Sequence, residues 1–310
     1  MGIRRNRTNR RKPGTGKRTI LSLVIVIIIL CGAIFLLEWL KATSGHKANP
    51  NLEERHKIPE RQSYTQSEFQ PYTSNHLPDL KSIRKRKSVS SGTVAIVIDD
   101  MGSSLKEANS LISIDVPLTF SLIPGLSKVS EVANIARERG YQVIIHIPME
   151  PKGYPKQRLE DNGLLLSHTD EEIAQRVDGY LKQVPYAAGA NNHMGSKFTE
   201  DEQKMKIVLN QLKAKGLFYL DSRTTPKSVG LSLARSMEIN SAGRNVFLDN
   251  TKDMASITAQ LDQLASLARK KGSAIGICHP HRKTIEALSI NLPRLQKEGI
   301  TFVSVGDLVR

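Results

Sequence analysis

The chain reads as an α/β protein: a distorted (β/α) barrel of about seven or eight parallel strands, preceded by an N-terminal transmembrane helix and a linker. Three observations predict this. Short apolar, β-branched runs recur from residue 94 onward, the mark of strands buried on both faces. Amphipathic stretches with cap residues separate them, and that alternation implies a parallel sheet. With about eight such units in about 220 residues, a closed or nearly closed barrel is favoured over an open sheet.

Val94–Ile98 is the first strand, ended by Asp99, Asp100 and Gly102. Ser103 or Ser104 caps the helix that follows, with Leu105, Ala108, Leu111 and Ile112 on one face. Leu118–Ile123 is the second strand, and Ser127 opens a helix that Gly140 closes. Gln142–Ile147 is the third, stopped by Pro148. Thr169-Asp-Glu-Glu172 is a capping box for a helix reaching about Gln183. Ala187–Ala190 is a strand of small residues, and Thr199-Glu-Asp-Glu202 reads as a second capping box for a helix to Lys215. Leu217–Leu220, the weaker Asn245–Leu248, Ala274–Cys278 and Thr301–Val305 are strands, with a helix at 253–271 ended by Gly272.

Residues 19–40 form one long apolar run, matching the hydrocarbon thickness of a bilayer and too long for most signal-peptide cores. Arg4, Arg5, Arg7, Arg10, Arg11, Lys12, Lys17 and Arg18 precede it without an acid among them. The positive-inside rule keeps that tail, 1–18, in the cytoplasm. The domain at 93–310 is then extracytoplasmic, or periplasmic in a Gram-negative cell, behind a flexible linker at 41–92 rich in Pro and polar residues. A cleaved signal peptide would export the same domain. The net charge of +15 sits almost wholly in the tail and linker, which leaves about +3 on the domain. A nucleic-acid partner is therefore not expected. Cys31 and Cys278 are the two cysteines, and with Cys31 in the apolar run the exported domain has no internal disulfide.

Polar residues gather where strands end. Asp99-Asp100 follows the first strand, and His146 and Glu150 lie at the end of the third. Asn191-Asn192-His193 follows the fourth, Asp221-Ser222-Arg223 the fifth, and Cys278-His279-Pro280-His281 a later one. Each alone has a plainer reading, as a turn residue, a cap or a core histidine. Together they stand at the barrel end where active sites form. Two His and an Asp make an open divalent site, with zinc favoured, and a neighbouring Asp can act as base. Adjacent strand-end side chains point to different sides, so Asp99 and Asp100 take different jobs. By the same alternation Cys278 belongs to the core rather than to a zinc cluster with His279 and His281.

Ile98-Asp-Asp100 with Gly102, Gly140-Tyr-Gln-Val-Ile-Ile-His146-Ile-Pro-Met-Glu150, Asn192-His193-Met-Gly-Ser196, Leu220-Asp-Ser-Arg223 and His279-Pro280 are the residues that matter here. As a set they resemble the divergent polysaccharide deacetylase family, a branch of the NodB-like carbohydrate esterases. The resemblance covers about 93–310. It implies removal of acetyl groups from the N-acetylated sugars of a cell-envelope polysaccharide or peptidoglycan-type glycan. It maps the metal ligands to Asp100, His146 and His193, the base to Asp99 and the general acid to His279. The wider superfamily places a second ligand His four residues after the first, where this chain has Glu150, so the resemblance has His193 supply that imidazole. Glu150, Asn192, Ser222 and Arg223 become supports for substrate and oxyanion, with Arg223 in the role of the superfamily's Arg-Pro motif. Two other classes fit the same residues: an inactive glycan-binding or scaffolding module, and a metal-dependent O-acetyl esterase or amidase.

Overall fold

The computed structural model describes residues 91–310 apart from Pro185. The basic tail, the expected membrane span at 19–40 and nearly all of the linker lie outside the described residues. Among the described residues no helix is long and apolar enough to cross a membrane.

Among the described residues nine parallel strands and seven α-helices follow one another, with a helix between most successive strands. The strands are β1 Gly92–Met101, β2 Thr119–Leu122, β3 Gln142–Met149, β4 Gly189–Met194, β5 Phe218–Asp221, β6 Ser241–Gly243, β7 Val246–Phe247, β8 Ser273–Cys278 and β9 Ile300–Val303. The helices are α1 Leu105–Ile112, α2 Val129–Glu138, α3 Asp170–Gln183, α4 Glu202–Ala214, α5 Gly230–Ser236, α6 Met254–Lys271 and α7 Arg282–Lys297. The sheet runs β6-β5-β4-β3-β2-β1-β8-β7, and β9 joins the first residues of β1. β6 and β7 do not pair, but only Arg244 and Asn245 separate them. One stretch, 241–247, thus borders both edges of a curled sheet. The ring is a distorted, incompletely closed barrel.

Alternation along the strands sorts the core into two layers. Ala95, Val97, Ile144, Leu220, Ile275 and Ile277 fill the barrel interior together with Phe218 and Val305. The intervening positions, such as Val94, Ile96, Val143, Ile145, Tyr219 and Cys278, face the helices. This placement makes Cys278 a buried packing residue and a free thiol, whose pKa burial pushes up. Helix stripes meet the outer layer, with Ile257, Leu261, Leu264 and Ala268 from α6 and Leu288, Leu292 and Leu295 from α7.

Several local expectations need correcting. Ser127 does not cap α2: Lys128 occupies that position without a side-chain bond. Thr199 does not open α4 either. It lies in a 3₁₀ turn, its hydroxyl bonds Gly195 O, and Asp201 accepts from Lys204 N as the cap. Thr169 and Glu172 do form the capping box of α3. β4 continues past Ala190 through Asn191-Asn192-His193, because those polar groups find partners inside the barrel. α5 and β6 are short and α7 contains Pro293, a helix breaker by local rules. The apolar stripe of α7 outweighs that local preference. Asp201→Ala should cost about 1 kcal/mol, as for other cap removals. Thr199→Val should leave the α4 terminus capped, and urea unfolding with backbone amide protection across 202–206 distinguishes the two.

Candidate active site

The inward-facing positions just beyond the interior plug carry the chemistry. Val97 is followed on its face by Asp99, Ile144 by His146, and Ile277 by His279. On β4 the same face holds Asn191 and His193, both buried. Alternation would send Asp100 the other way. Instead the β1–β2 register slips between Ile98 and Met101, and Asp100 adopts a left-handed φ of 56°. The bulge turns both carboxylates toward His146 Nε2, with Asp99 Oδ2 at 3.5 Å and Asp100 Oδ1 at 3.2 Å. The expectation that adjacent strand-end residues diverge therefore fails here for a specific backbone reason. Met194 (φ 52°), the last residue of β4, and Arg223 (φ 49°), two residues past β5, are similarly left-handed. Such strained positions gather where structure is held for function.

Asp100, His146 and His193 present ligand atoms to one another. His193 Nδ1 lies 2.9 Å from Asp100 Oδ1 and 3.2 Å from His146 Nε2. Asp100 Oδ1 is buried without a hydrogen bond of good geometry, although two imidazole nitrogens crowd it. Two ligands of a tetrahedral ion with bonds of about 2.0–2.1 Å stand roughly 3.3 Å apart. The observed spacing of 2.9–3.2 Å and the N,N,O donor set fit a divalent ion. Burial opposes ionisation of Asp100, but His146 and His193 hold its carboxyl well below the usual range. Burial likewise opposes charge on His146, yet Asp99 and Asp100 raise it to about 9 when no ion is present. An ion entering the triad takes the place of that proton, so its binding is coupled to pH.

Asn191 is the hub. Its Oδ1 accepts from His146 Nδ1 at 2.7 Å and from Ser121 Oγ at 2.6 Å, and its Nδ2 donates to Asp99 Oδ1 at 2.8 Å. Placing the proton on Nδ1 leaves Nε2 free to ligate. Burial raises the pKa of Asp99, partly offset by His146 and His279. A carboxylate so placed is a stronger base than one in water.

His279 stands across from this group, with Nε2 3.7 Å from Asp100 Oδ2. Buried Asp249 lies 3.1 Å from its Nδ1 and also accepts from the backbone N of His279 and from Thr284 Oγ1. Burial disfavours the imidazolium, but the Asp249 bond and the carboxylates of Asp100 and Asp99 raise the His279 pKa above its ordinary value. His281, stacked on His279, is pushed down by burial and Lys252.

The supporting residues sit differently from one another. Glu150 is buried but occupied: Oε2 accepts from Leu166 N at 2.7 Å and Oε1 pairs with Lys197 at 2.6 Å. Through these bonds it ties two loops together. Asn192 braces β4 against β5 by accepting from Ser222 N and donating to Met194 O. Ser222 Oγ is buried without a partner, and Arg223 is exposed. Arg244 Nε donates to Ser222 O at 2.7 Å, and burial together with Arg223 lowers its pKa. Sequence reasoning placed Asn191 among the strand-end polar residues without giving it a role, and it did not single out Asp249. Asp249 follows β7 as Asp99 follows the apolar core of β1, so the strand-end rule would have found it.

The fold and site define a barrel whose strand ends gather a triad that could hold a metal ion, a buried carboxylate and an Asp-paired histidine. The chain belongs to the divergent polysaccharide deacetylase family, which matches residues 96–309. It is 37% identical over 223 residues to an uncharacterised protein of Haemophilus influenzae, covering 72% of this chain and 79% of that one. It is 33% identical over 239 residues to YibQ of Escherichia coli, covering 77% and 74%. Among solved structures, ATU2773 from Agrobacterium tumefaciens superimposes with a TM-score of 0.68 at 26% identity, over 71% of this chain and 89% of that one. A putative cellobiose-phosphate cleavage protein of Enterococcus faecalis shares the fold at 14% identity and a TM-score of 0.51, over 71% and 100%.

Asn191→Leu removes the acceptor that fixes His146. It should weaken zinc binding by about 10–100-fold, the usual cost of losing such an outer partner, measured by competition with a chromophoric chelator.

Proposed function

We propose that the chain is a metal-dependent hydrolase that removes acetyl groups from N-acetylated sugars of a cell-envelope glycan. The observation that carries this reading is the placement of Asp99 and the Asp249-held His279 beside one ion-sized triad. The amide carbonyl needs polarising, the water needs a base and the departing amine needs an acid. Family membership supports the acetylated-sugar class.

Asp100, His146 and His193 would hold the ion, zinc by their donor set. It would supply Lewis acidity to the acetyl carbonyl and to the attacking water. Asp99 accepts a proton as the water oxygen bonds to the carbonyl carbon. Asn191 keeps one oxygen of Asp99 engaged, so the other takes the proton. The carbon–nitrogen bond then breaks and His279 delivers its Nε2 proton to the amine, while acetate leaves. Asp249 keeps the His279 ring oriented and charged until that step.

Residues 19–40 fit this role as an anchor that places the domain beside its glycan. The full-length protein should resist extraction by salt and alkali, and a reporter after Arg310 should be active outside the cytoplasm. Full-length protein in the soluble cytoplasm would contradict this.

The functional test is acetate release from an N-acetylated oligosaccharide. His279→Ala should cut turnover about 10²-fold or more with metal content unchanged. Activity of the protonated acid is lost as pH rises through the His279 pKa, which Asp249 raises. Asp249→Asn should therefore move the alkaline limb of the pH–rate profile to lower pH. Wild-type turnover in His279→Ala would remove that residue from the mechanism, and no acetate release by the wild type would favour an inactive glycan-binding role.

A further inference from the structure

The segment between β3 and α3 is long, and Glu150 pins it. Leu164 pairs with the end of β3, Leu166 N donates to Glu150, and Asn162 Nδ2 donates to Pro124 O at 2.8 Å. Tyr180 OH donates to Asn162 O from α3. Between these anchors a turn closes from Gly163 N to Glu160 O at 2.7 Å. The turn brings Glu160 Oε2 to 3.6 Å from His193 Nε2, on the side of the ring away from Asp100. That oxygen is buried and has no hydrogen-bond partner. Among the described residues no lysine or arginine pairs with Glu160.

We propose that Glu160 is a positioning residue for the ion site. It favours the tautomer of His193 that carries its proton on Nε2, so that the Nδ1 lone pair faces Asp100 and His146. A neutral imidazole ligates through one nitrogen, and the group at the other decides which. His146 already has its partner in Asn191. His193 needs a separate acceptor, and Glu160 is the carboxylate that faces its free nitrogen. At 3.6 Å the pair is at ion-pair range, longer than a hydrogen bond. The account also gives Glu150 a purpose: it holds the loop that carries Glu160 to the ion site.

This inference rests on the ion-site reading, and the test separates the two. Zinc affinity is measured by chelator competition on the full-length protein for wild type, Glu160→Ala, Glu160→Gln and Gln157→Ala. Glu160→Ala should weaken binding by about 10–100-fold. Glu160→Gln keeps a carbonyl acceptor and should fall between the two. Gln157 is in the same loop and touches Met194 Sδ, so Gln157→Ala should bind as wild type does. The ion-free melting temperature reports loop damage separately, and the Gln variant keeps the comparison should the Ala variant unfold. Equal affinity in wild type and both Glu160 variants overturns the proposal alone. So does a loss in Gln157→Ala as large as in Glu160→Ala. Failure of wild type to bind zinc overturns this proposal and the ion site together.

Discussion

Three ligand atoms, Asp100 Oδ1, His146 Nε2 and His193 Nδ1, are held 2.9–3.2 Å apart in a pocket shut off from most solvent. Crowding a carboxylate and two imidazoles in this way is unfavourable unless something positive lies among them. Without an ion, the extra proton on His146 serves, which is why its pKa stands near 9. Much of the surrounding structure reads as the means of keeping that cluster together. The bulge after Ile98 turns Asp100 inward, the Asn191 amide directs His146, and β4 runs on through polar residues so that His193 arrives from beside His146.

The barrel interior makes this possible. Its apolar plug ends at one level on β1, β3 and β8, and the next inward residue on each is Asp99, His146 or His279. Parallel strands put all these positions at the same end, which is the general reason such barrels build sites there. Low-dielectric surroundings then push the two working groups in useful directions. Burial raises the pKa of Asp99, and Asp249 raises that of His279 and so favours its protonated form. The two pKa shifts have different causes, which lets a carboxylate and a protonated imidazole stand in one small site, as the proposed mechanism requires.

What the sequence made legible was whatever followed strand and helix periods. The apolar runs at Val94, Gln142 and Ala274 are strands, Thr169 opens a helix, and the polar groups after them meet. What stayed hidden depended on tertiary partners. The role of Asn191 stayed hidden because its bonds to Asp99, His146 and Ser121 span 45 to 92 residues of chain. The convergence of Asp99 and Asp100 depends on a left-handed φ that no alternation rule anticipates. Glu150 stood where a ligand was expected by analogy, and its spacing gave no hint of Lys197 and Leu166 as partners. Asp249 follows the weaker strand expected at Asn245–Leu248, and its bonds to His279 and Thr284 span 30 and 35 residues of chain.

The central claim is that Asp100, His146 and His193 form one divalent-ion site. An anomalous difference map recorded across the zinc edge, from crystals grown with stoichiometric zinc, tests it most directly. The account predicts one strong peak bonded to Asp100 Oδ1, His146 Nε2 and His193 Nδ1. Absence of a peak there, or a peak confined to the neighbouring Asp249, His279 and His281 group, would contradict it.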